Sequence, residues 1–253
     1  YLSIKCLILN INANNLRNFL MDILNKDFIT KANQSTYRPY NIFFVETNYD
    51  RLYFDAKQLC AIESAAKNNP KSIVYIYSVR AKFMPNQQLI NQIYENIKLI
   101  KLEPDTLFNG TDFYLWWRIK KRKLLKSEYK IGHLSDSARV ALLYKYGGIY
   151  SDLDTINLKS YEPLVKSNGL GRYILPDRTD IGNGILIFSK QHPILDAVAK
   201  DFINKYKSKI WDYNGPQSFS RSIIKLCKTS NMFEDDQLEE KCHLTIYPYE
   251  YFY

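Results

Sequence analysis

The alternation of apolar and polar positions divides the chain into strands and helices. Asn41–Thr47 (NIFFVET) is a continuous apolar run of β-branched and aromatic residues, which predicts a strand buried on both faces. Ser72–Val79 (SIVYIYSV) predicts a second strand and Ile97–Leu102 a third. Between them, Asp55–Lys67 has helical spacing ended by Asn68-Asn69-Pro70, and a further helix is predicted from Pro85 to Asn96. Strand–helix–strand repetition of this kind implies parallel pairing with right-handed crossovers. Such a sheet binds ligands at the carboxyl ends of its strands, so Thr47 sits where a nucleotide could lie.

The run Ile131–Leu158 (IGHLSDSARVALLYKYGGIYSDLDTINL) organises the rest. Ser135 reads as an N-cap with Asp136 in the first turn, and Ala138 to Tyr144 is apolar nearly all round, which predicts a buried helix. Gly147-Gly148 ends it. Ile149–Ile156 reads as a strand on which Asp152 and Asp154 share one face while Leu153 points inward. Asp112–Lys126 predicts another helix, with one of the adjacent Trp116 and Trp117 packed inward and the other free to cover a sugar or a membrane interface. Gly171–Pro176 and Gly184–Ser189 read as strands, with Asn183 and Gly184 in the turn before the second. Ile194–Ile210 is an amphipathic helix, and Gly215-Pro216 opens one that runs through Cys227. An acidic loop, Glu234–Glu240, lies between Cys227 and Cys242.

Composition narrows the class. The 253 residues can bury a sizeable core, and 46% hydrophobic with 24% charged content is ordinary for a globular chain. The formal charge of +9 suits contact with polyanions or anionic membrane surfaces. Its densest source is Arg118–Lys130. That run reads as a solvated helix face, a patch toward an anionic membrane, or a guide for a nucleotide-sugar. No recognition helix, zinc finger or RNA-binding motif accompanies it, so no nucleic-acid partner is expected. Four cysteines without C-x-x-C spacing give no zinc site. Asn33-Gln34-Ser35 and Asn109-Gly110-Thr111 are glycosylation sequons. No run reaches the roughly 20 apolar residues of a membrane span.

Two neighbouring carboxylates, Asp152 and Asp154, repel unless a cation lies between them, and a hard divalent ion with oxygen ligands fits. Asp136 and Arg139, three apart on the helix, form a charged pair on an apolar element, which is costly unless paired or liganded. Asp152-Leu153-Asp154 also matches the D-x-D that opens the D-x-D-x-T of haloacid-dehalogenase-like phosphatases, where the first aspartate accepts phosphate, though Ile156 stands at the threonine position. A third reading is a non-catalytic fold that binds glycans or nucleotides. Hydrolysis of p-nitrophenyl phosphate would favour the phosphatase, and ligand binding without turnover the binder.

The serine-aspartate helix, the diglycine turn and Tyr150-x-Asp152-x-Asp154 resemble the donor-site segment of D-x-D glycosyltransferases. That group includes lactosylceramide 4-alpha-galactosyltransferases and alpha-1,4-N-acetylglucosaminyltransferases. Asn41–Thr47, Cys60–Pro70, Asn183–Lys190 with His192-Pro193, and Gly215-Pro216 resemble blocks of the first two in their order. The resemblance implies an α/β fold with a single GT-A-type nucleotide-sugar-binding domain over 39–253, its sheet Rossmann-like and mostly parallel. Residues 1–38 would then be a stem or leader. It implies a retaining transfer of galactose or an N-acetylhexosamine from a UDP-sugar, in alpha-1,4 linkage, to a glycolipid or glycan. Asp154 would hold Mn²⁺ (or Mg²⁺) with Asp152 beside the ribose and metal-bound water. Asp136 and Arg139 would bind the donor sugar or diphosphate, and Tyr150, Thr47, Asn183 and Gly184 would line the donor pocket. Gln217 would face the acceptor or lie on the helix surface. No carboxylate stands out as a nucleophile, so covalent and same-face mechanisms both remain open.

The same resemblance implies a single-pass type II protein with a lumenal Golgi catalytic domain, its anchor absent from this chain. It also implies a further C-terminal residue, often a histidine, that completes the site. His243 lies too early to match, which reads as a truncated domain with weak UDP binding. His133 and His192 read as turn or surface residues. In a secretory protein, Cys227 and Cys242 are expected to form a disulfide, with Cys60 a free thiol in a buried helix.

Overall fold

The computed structural model describes residues 40–81, 94–176 and 178–252. The leader with its Asn33 sequon, and most of the helix expected over Pro85–Asn96, lie outside these residues; 94–96 are not helical. The strands are β1 (Asn41–Glu46), β2 (Ile73–Ser78), β3 (Ile97–Lys101), β4 (Gly148–Ser151), β5 (Asn168–Ile174), β6 (Thr179–Phe188) and β7 (Leu244–Tyr247). They form one sheet in the order β3-β2-β1-β4-β6-β5-β7. The pairs β2–β3, β1–β2, β1–β4 and β5–β7 are parallel, whereas β6 runs antiparallel between β4 and β5. The mostly parallel sheet expected from the sequence is therefore present.

The helices are α1 (Ala56–Asn68), α2 (Pro104–Phe108), α3 (Phe113–Leu125), α4 (Lys130–Tyr146), α5 (Pro193–Lys205), α6 (Pro216–Cys227) and α7 (Leu238–Cys242). None of the described helices is long and apolar enough to cross a membrane. Strand β1 has no polar face because the sheet is covered on both sides. Ile42 and Phe44 pack with Ala61, Ile62 and Ala65 of α1. Phe43 and Val45 join a larger core with α4, Trp117 and Phe202. Asp55 starts α1 with a capping box, accepting from Gln58 N at 3.0 Å while the Gln58 side chain accepts from Asp55 N.

Helix α4 is buried from His133 through Leu143, as its all-round apolar pattern predicts. Its start differs. The helix begins five residues before Ser135, where the Ser127 hydroxyl accepts from Tyr129 N at 3.1 Å. Ser135 is therefore interior rather than an N-cap, and Asp136 is not in the first turn. Gly147 and Gly148 (φ +64° and +113°) then reverse the chain. A Cβ at Gly148 would strike the Asn41 carbonyl, so the close β1–β4 approach itself demands glycine.

Other expectations shift. Trp116 and Trp117 are both buried, at 6% and 4% exposure, because one faces Phe202 and Tyr206 and the other Phe108. Helix α5 stops at Lys205, where Tyr206 turns extended, so it falls short of Ile210. Strand β5 spans Asn168–Ile174 rather than Gly171–Pro176. The acidic loop gives way at Leu238 to the short helix α7. Cys227 and Cys242 are bonded as expected, tying α6 to α7. Cys60 is not a free thiol; it too is disulfide-bonded, to a partner outside the described residues.

Candidate active site

From β1 the chain moves outward to β2 on one side, while β4 pairs with β1 on the other. Such a reversal of strand order opens a crevice at the carboxyl ends of the two strands. Thr47 and Asp152 stand at those ends. Thr47 is buried and donates its hydroxyl to the Ile131 carbonyl at 2.7 Å, which locks β1 to the first turn of α4. Its side chain is committed to the fold.

Strand β4 ends at Ser151, not at Ile156. Asp152 N makes a last ladder bond to the Gly184 carbonyl at 2.8 Å, and Thr155 N then donates back to Asp152 O at 3.1 Å. Asp152 and Asp154 are thus in a turn, and strand alternation does not set their directions. Leu153 is buried as expected, Asp152 is half-buried and Asp154 is exposed.

Arg139 gathers the buried part of the site. Its Nη2 lies 3.5 Å from Asp136 Oδ1 and 3.3 Å from Asp152 Oδ1, with the side chain 6% exposed. It also donates to Ser135 Oγ at 2.9 Å and to the Asn183 carbonyl. The guanidinium carbon sits 4.4 Å from the centre of the Tyr150 ring, a cation–π contact. Tyr150 donates its hydroxyl to Asp152 Oδ1 at 2.6 Å and shares a hydrogen bond with Ser135. Burial pushes the carboxyls of Asp136 and Asp152 upward, opposed in both by Arg139. Burial likewise holds the Tyr150 phenol well above its ordinary range.

Asn183 and Gly184 are not in a turn before a strand but inside β6, which starts at Thr179. The β5–β6 register jumps there, from Leu170↔Leu186 to Gly171↔Gly182, so Asn183–Ile185 bulge out of the ladder. A bulge re-aims side chains. Here Asn183 Nδ2 donates to Asp136 Oδ1 at 2.9 Å. Gly184 contributes its backbone carbonyl to Asp152. Gln217 donates to Asp212 Oδ2 at 2.8 Å, beside the start of α6.

Three participants escaped the sequence reading. Ser135 serves Arg139 and Tyr150 instead of capping a helix. Gly215 presses on the site: a Cβ there would lie 2.5 Å from Asp136 Oδ1 and 2.6 Å from Asn183 Nδ2. His133 is fully buried, with Nδ1 3.1 Å from Tyr206 Oη and Nε2 3.0 Å from Asn214 Nδ2. That ring pins the loop which delivers Gly215. Only the Gly-Pro start of α6 signalled any of this. His192 is likewise not a surface residue but the buried N-cap of α5, accepting from Ile194 N at 3.2 Å.

Among the described residues no three His, Cys, Asp or Glu side chains gather into a metal cluster. Asp152 and Asp154 nevertheless suit a hard ion, which commonly takes one or two carboxylates and completes its shell with water and phosphate oxygens. Asp154 is exposed enough to reach such an ion, and Asp152 keeps its second oxygen outside the Tyr150 and Arg139 contacts.

Comparison with known proteins gives the context of this geometry. Residues 55–170 match the family profile described as glycosyltransferase sugar-binding region containing DXD motif. Residues 187–253 match the alpha 1,4-glycosyltransferase conserved region. The chain is 31% identical over 226 residues to lactosylceramide 4-alpha-galactosyltransferase of Pan troglodytes, covering 85% of this chain and 60% of that protein. It is 28% identical over 210 residues to the Homo sapiens alpha-1,4-N-acetylglucosaminyltransferase, covering 78% and 58%. The chain thus spans under two thirds of these relatives' length. In fold it is similar to the PaToxG glycosyltransferase, with a TM-score of 0.60 at 19% identity over 80% of this chain and 76% of that one. The fold is the GT-A type, and along it the chain matches, in order, the glycosyltransferase sugar-binding region containing the DXD motif and the alpha 1,4-glycosyltransferase conserved region.

Proposed function

We propose that the chain carries the donor site of a metal-dependent retaining glycosyltransferase. It moves galactose or an N-acetylhexosamine from a UDP-sugar, in alpha-1,4 linkage, to a glycosphingolipid or glycan. The observation that carries this reading is the Arg139 bridge between Asp136 and Asp152, set at the crevice beside the exposed Asp154. A carboxylate held by Asn183 and Arg139 is a fixed acceptor for sugar hydroxyls, and Arg139 offers positive charge to a diphosphate. Tyr150 stiffens Asp152, Gly184 fixes the Asp152 backbone, and Gln217 on α6 serves the acceptor side. Asp154, with Asp152, would hold Mn²⁺ or Mg²⁺. Such an ion, when bound, neutralises charge developing on the leaving diphosphate as a Lewis acid. The names of the relatives support the sugar and linkage classes, and a lumenal Golgi setting agrees with the disulfides and the exposed Asn109 sequon.

UDP release is the test, measured with UDP-galactose, UDP-GalNAc, UDP-GlcNAc and UDP-glucose, each with and without a lactose-ended glycolipid. Acceptor-dependent release from UDP-galactose or a UDP-N-acetylhexosamine is expected. Release from UDP-glucose alone, or p-nitrophenyl phosphate hydrolysis in its place, contradicts the reading.

A further inference from the structure

Helix α3 buries Phe113, Trp116, Trp117 and Leu124 and turns a different face outward. On that face Leu115 and Ile119 are 69% and 72% exposed. Arg122 and Lys126 continue the same stripe at helical spacing. Between Arg118 and Lys130 the sequence has seven basic side chains and one carboxylate, Glu128. Lys120, Arg122, Lys126 and Lys130 are exposed, and no described carboxylate pairs with them. At the α3–α4 corner lies a second apolar group: Ile131, Ile210 and Trp211, the last 66% exposed.

This corner is rigid. The loop bearing Ile210 and Trp211 is tied down by Ser127 Oγ to Ser208 O at 2.5 Å and by His133 Nε2 near Ile210 O at 3.1 Å. The Trp211 indole nitrogen rests 3.7 Å from where a Cβ on Gly132 would be. It is also next to the site. Ile131 offers its carbonyl to Thr47, and four residues past Trp211 the chain reaches Gly215, against Asp136.

We propose that this face docks on an anionic lipid bilayer, with Trp211, Ile131 and Ile210 entering the headgroup region and the α3 cations resting on lipid phosphates. A fixed, exposed tryptophan flanked by aliphatic and basic residues suits an interface that is apolar on one side and wet on the other. A neutral glycan would use the tryptophan but has no need of the cations. A soluble polyanion would use the cations but not Leu115, Ile119 or Ile131. Docked this way, the crevice opens at headgroup level, where a membrane-held acceptor presents its sugar. That consequence rests on the proposed function; the docking itself does not.

Trp211 is the exposed one of the three tryptophans, so its emission reports insertion directly. The protein is titrated with phosphatidylcholine vesicles, with and without phosphatidylserine, following sedimentation and emission. Serine-lipid vesicles should bind at least about tenfold tighter, with a blue shift, and the gain should fall as salt is raised. Trp211→Phe should abolish the shift while binding persists. The triple change Lys120→Glu, Arg122→Glu, Lys126→Glu should remove the preference for anionic vesicles at unchanged Tm. Equal binding to both vesicle types overturns the proposal. So does heparin binding without vesicle binding, or a blue shift caused by soluble lactose but not by vesicles. Vesicle binding without UDP-sugar turnover would leave the docking intact and count against the proposed function alone.

Discussion

Arg139 is the residue on which the buried site depends, because it is the counter-ion of two carboxylates at once. Removing one member of a buried charge cluster strands the others and typically costs about 3–5 kcal/mol. Arg139→Ala should lose stability of that order in urea unfolding, and Arg139→Lys should lose less, keeping the charge but not the planar fork. A loss below about 1 kcal/mol for the alanine variant would mean that Asp136 and Asp152 find other partners. His133 sets a pH dependence. Burial depresses its pKa, so the fold holds it neutral while the unfolded chain takes up a proton below about pH 6.5. Stability from this group is therefore complete above that pH and falls as pH drops through the depressed folded value. His192 is shifted in the same direction. Unfolding free energy should fall between pH 7 and 5, with a shallower slope in His133→Asn. An unchanged slope in that variant would remove His133 from the account.

At the scale of elements, the periodic parts were legible and their ends were not. The apolar run of β1 and the all-round apolar α4 follow from burial on every side, which sequence records directly. Ser135 misled because a good N-cap residue inside a buried helix can serve a side chain instead, and Arg139 takes it. The D-x-D segment misled because the chain turns away after Asp152, Thr155 N closing on the Asp152 carbonyl, although β1 and β6 both run on beside it. The Asn183 bulge depends on the β5 register, a long-range fact no local window holds. The cysteine pair was legible as a short loop. Its sequence separation of 15 is worth about 3 kcal/mol in the chain-entropy model. Replacing both Cys227 and Cys242 with serine should cost roughly that in unfolding free energy, with α6 and α7 exchanging amide hydrogens faster than β1. No change in either measurement would show the crosslink to be idle.

For the whole molecule, sheet order and chemistry coincide. The reversal between β1 and β4 opens the crevice, where α4 supplies Asp136 and Arg139, the turn after β4 Asp152, and β6 Asn183. The family matches cover the same elements. We propose that this crevice is a nucleotide site completed by a divalent ion on Asp154 and Asp152. Because Asp154 is exposed, its replacement should leave the fold alone and act only on the ligand. The most direct measurement is calorimetric titration of UDP into the protein with Mn²⁺ and with chelator, for the unmodified chain and for Asp154→Asn. UDP binding should need the metal and weaken at least about tenfold in Asp154→Asn, with the Tm of the metal-free protein unchanged. UDP binding of equal strength with and without metal, or in both proteins, would contradict it.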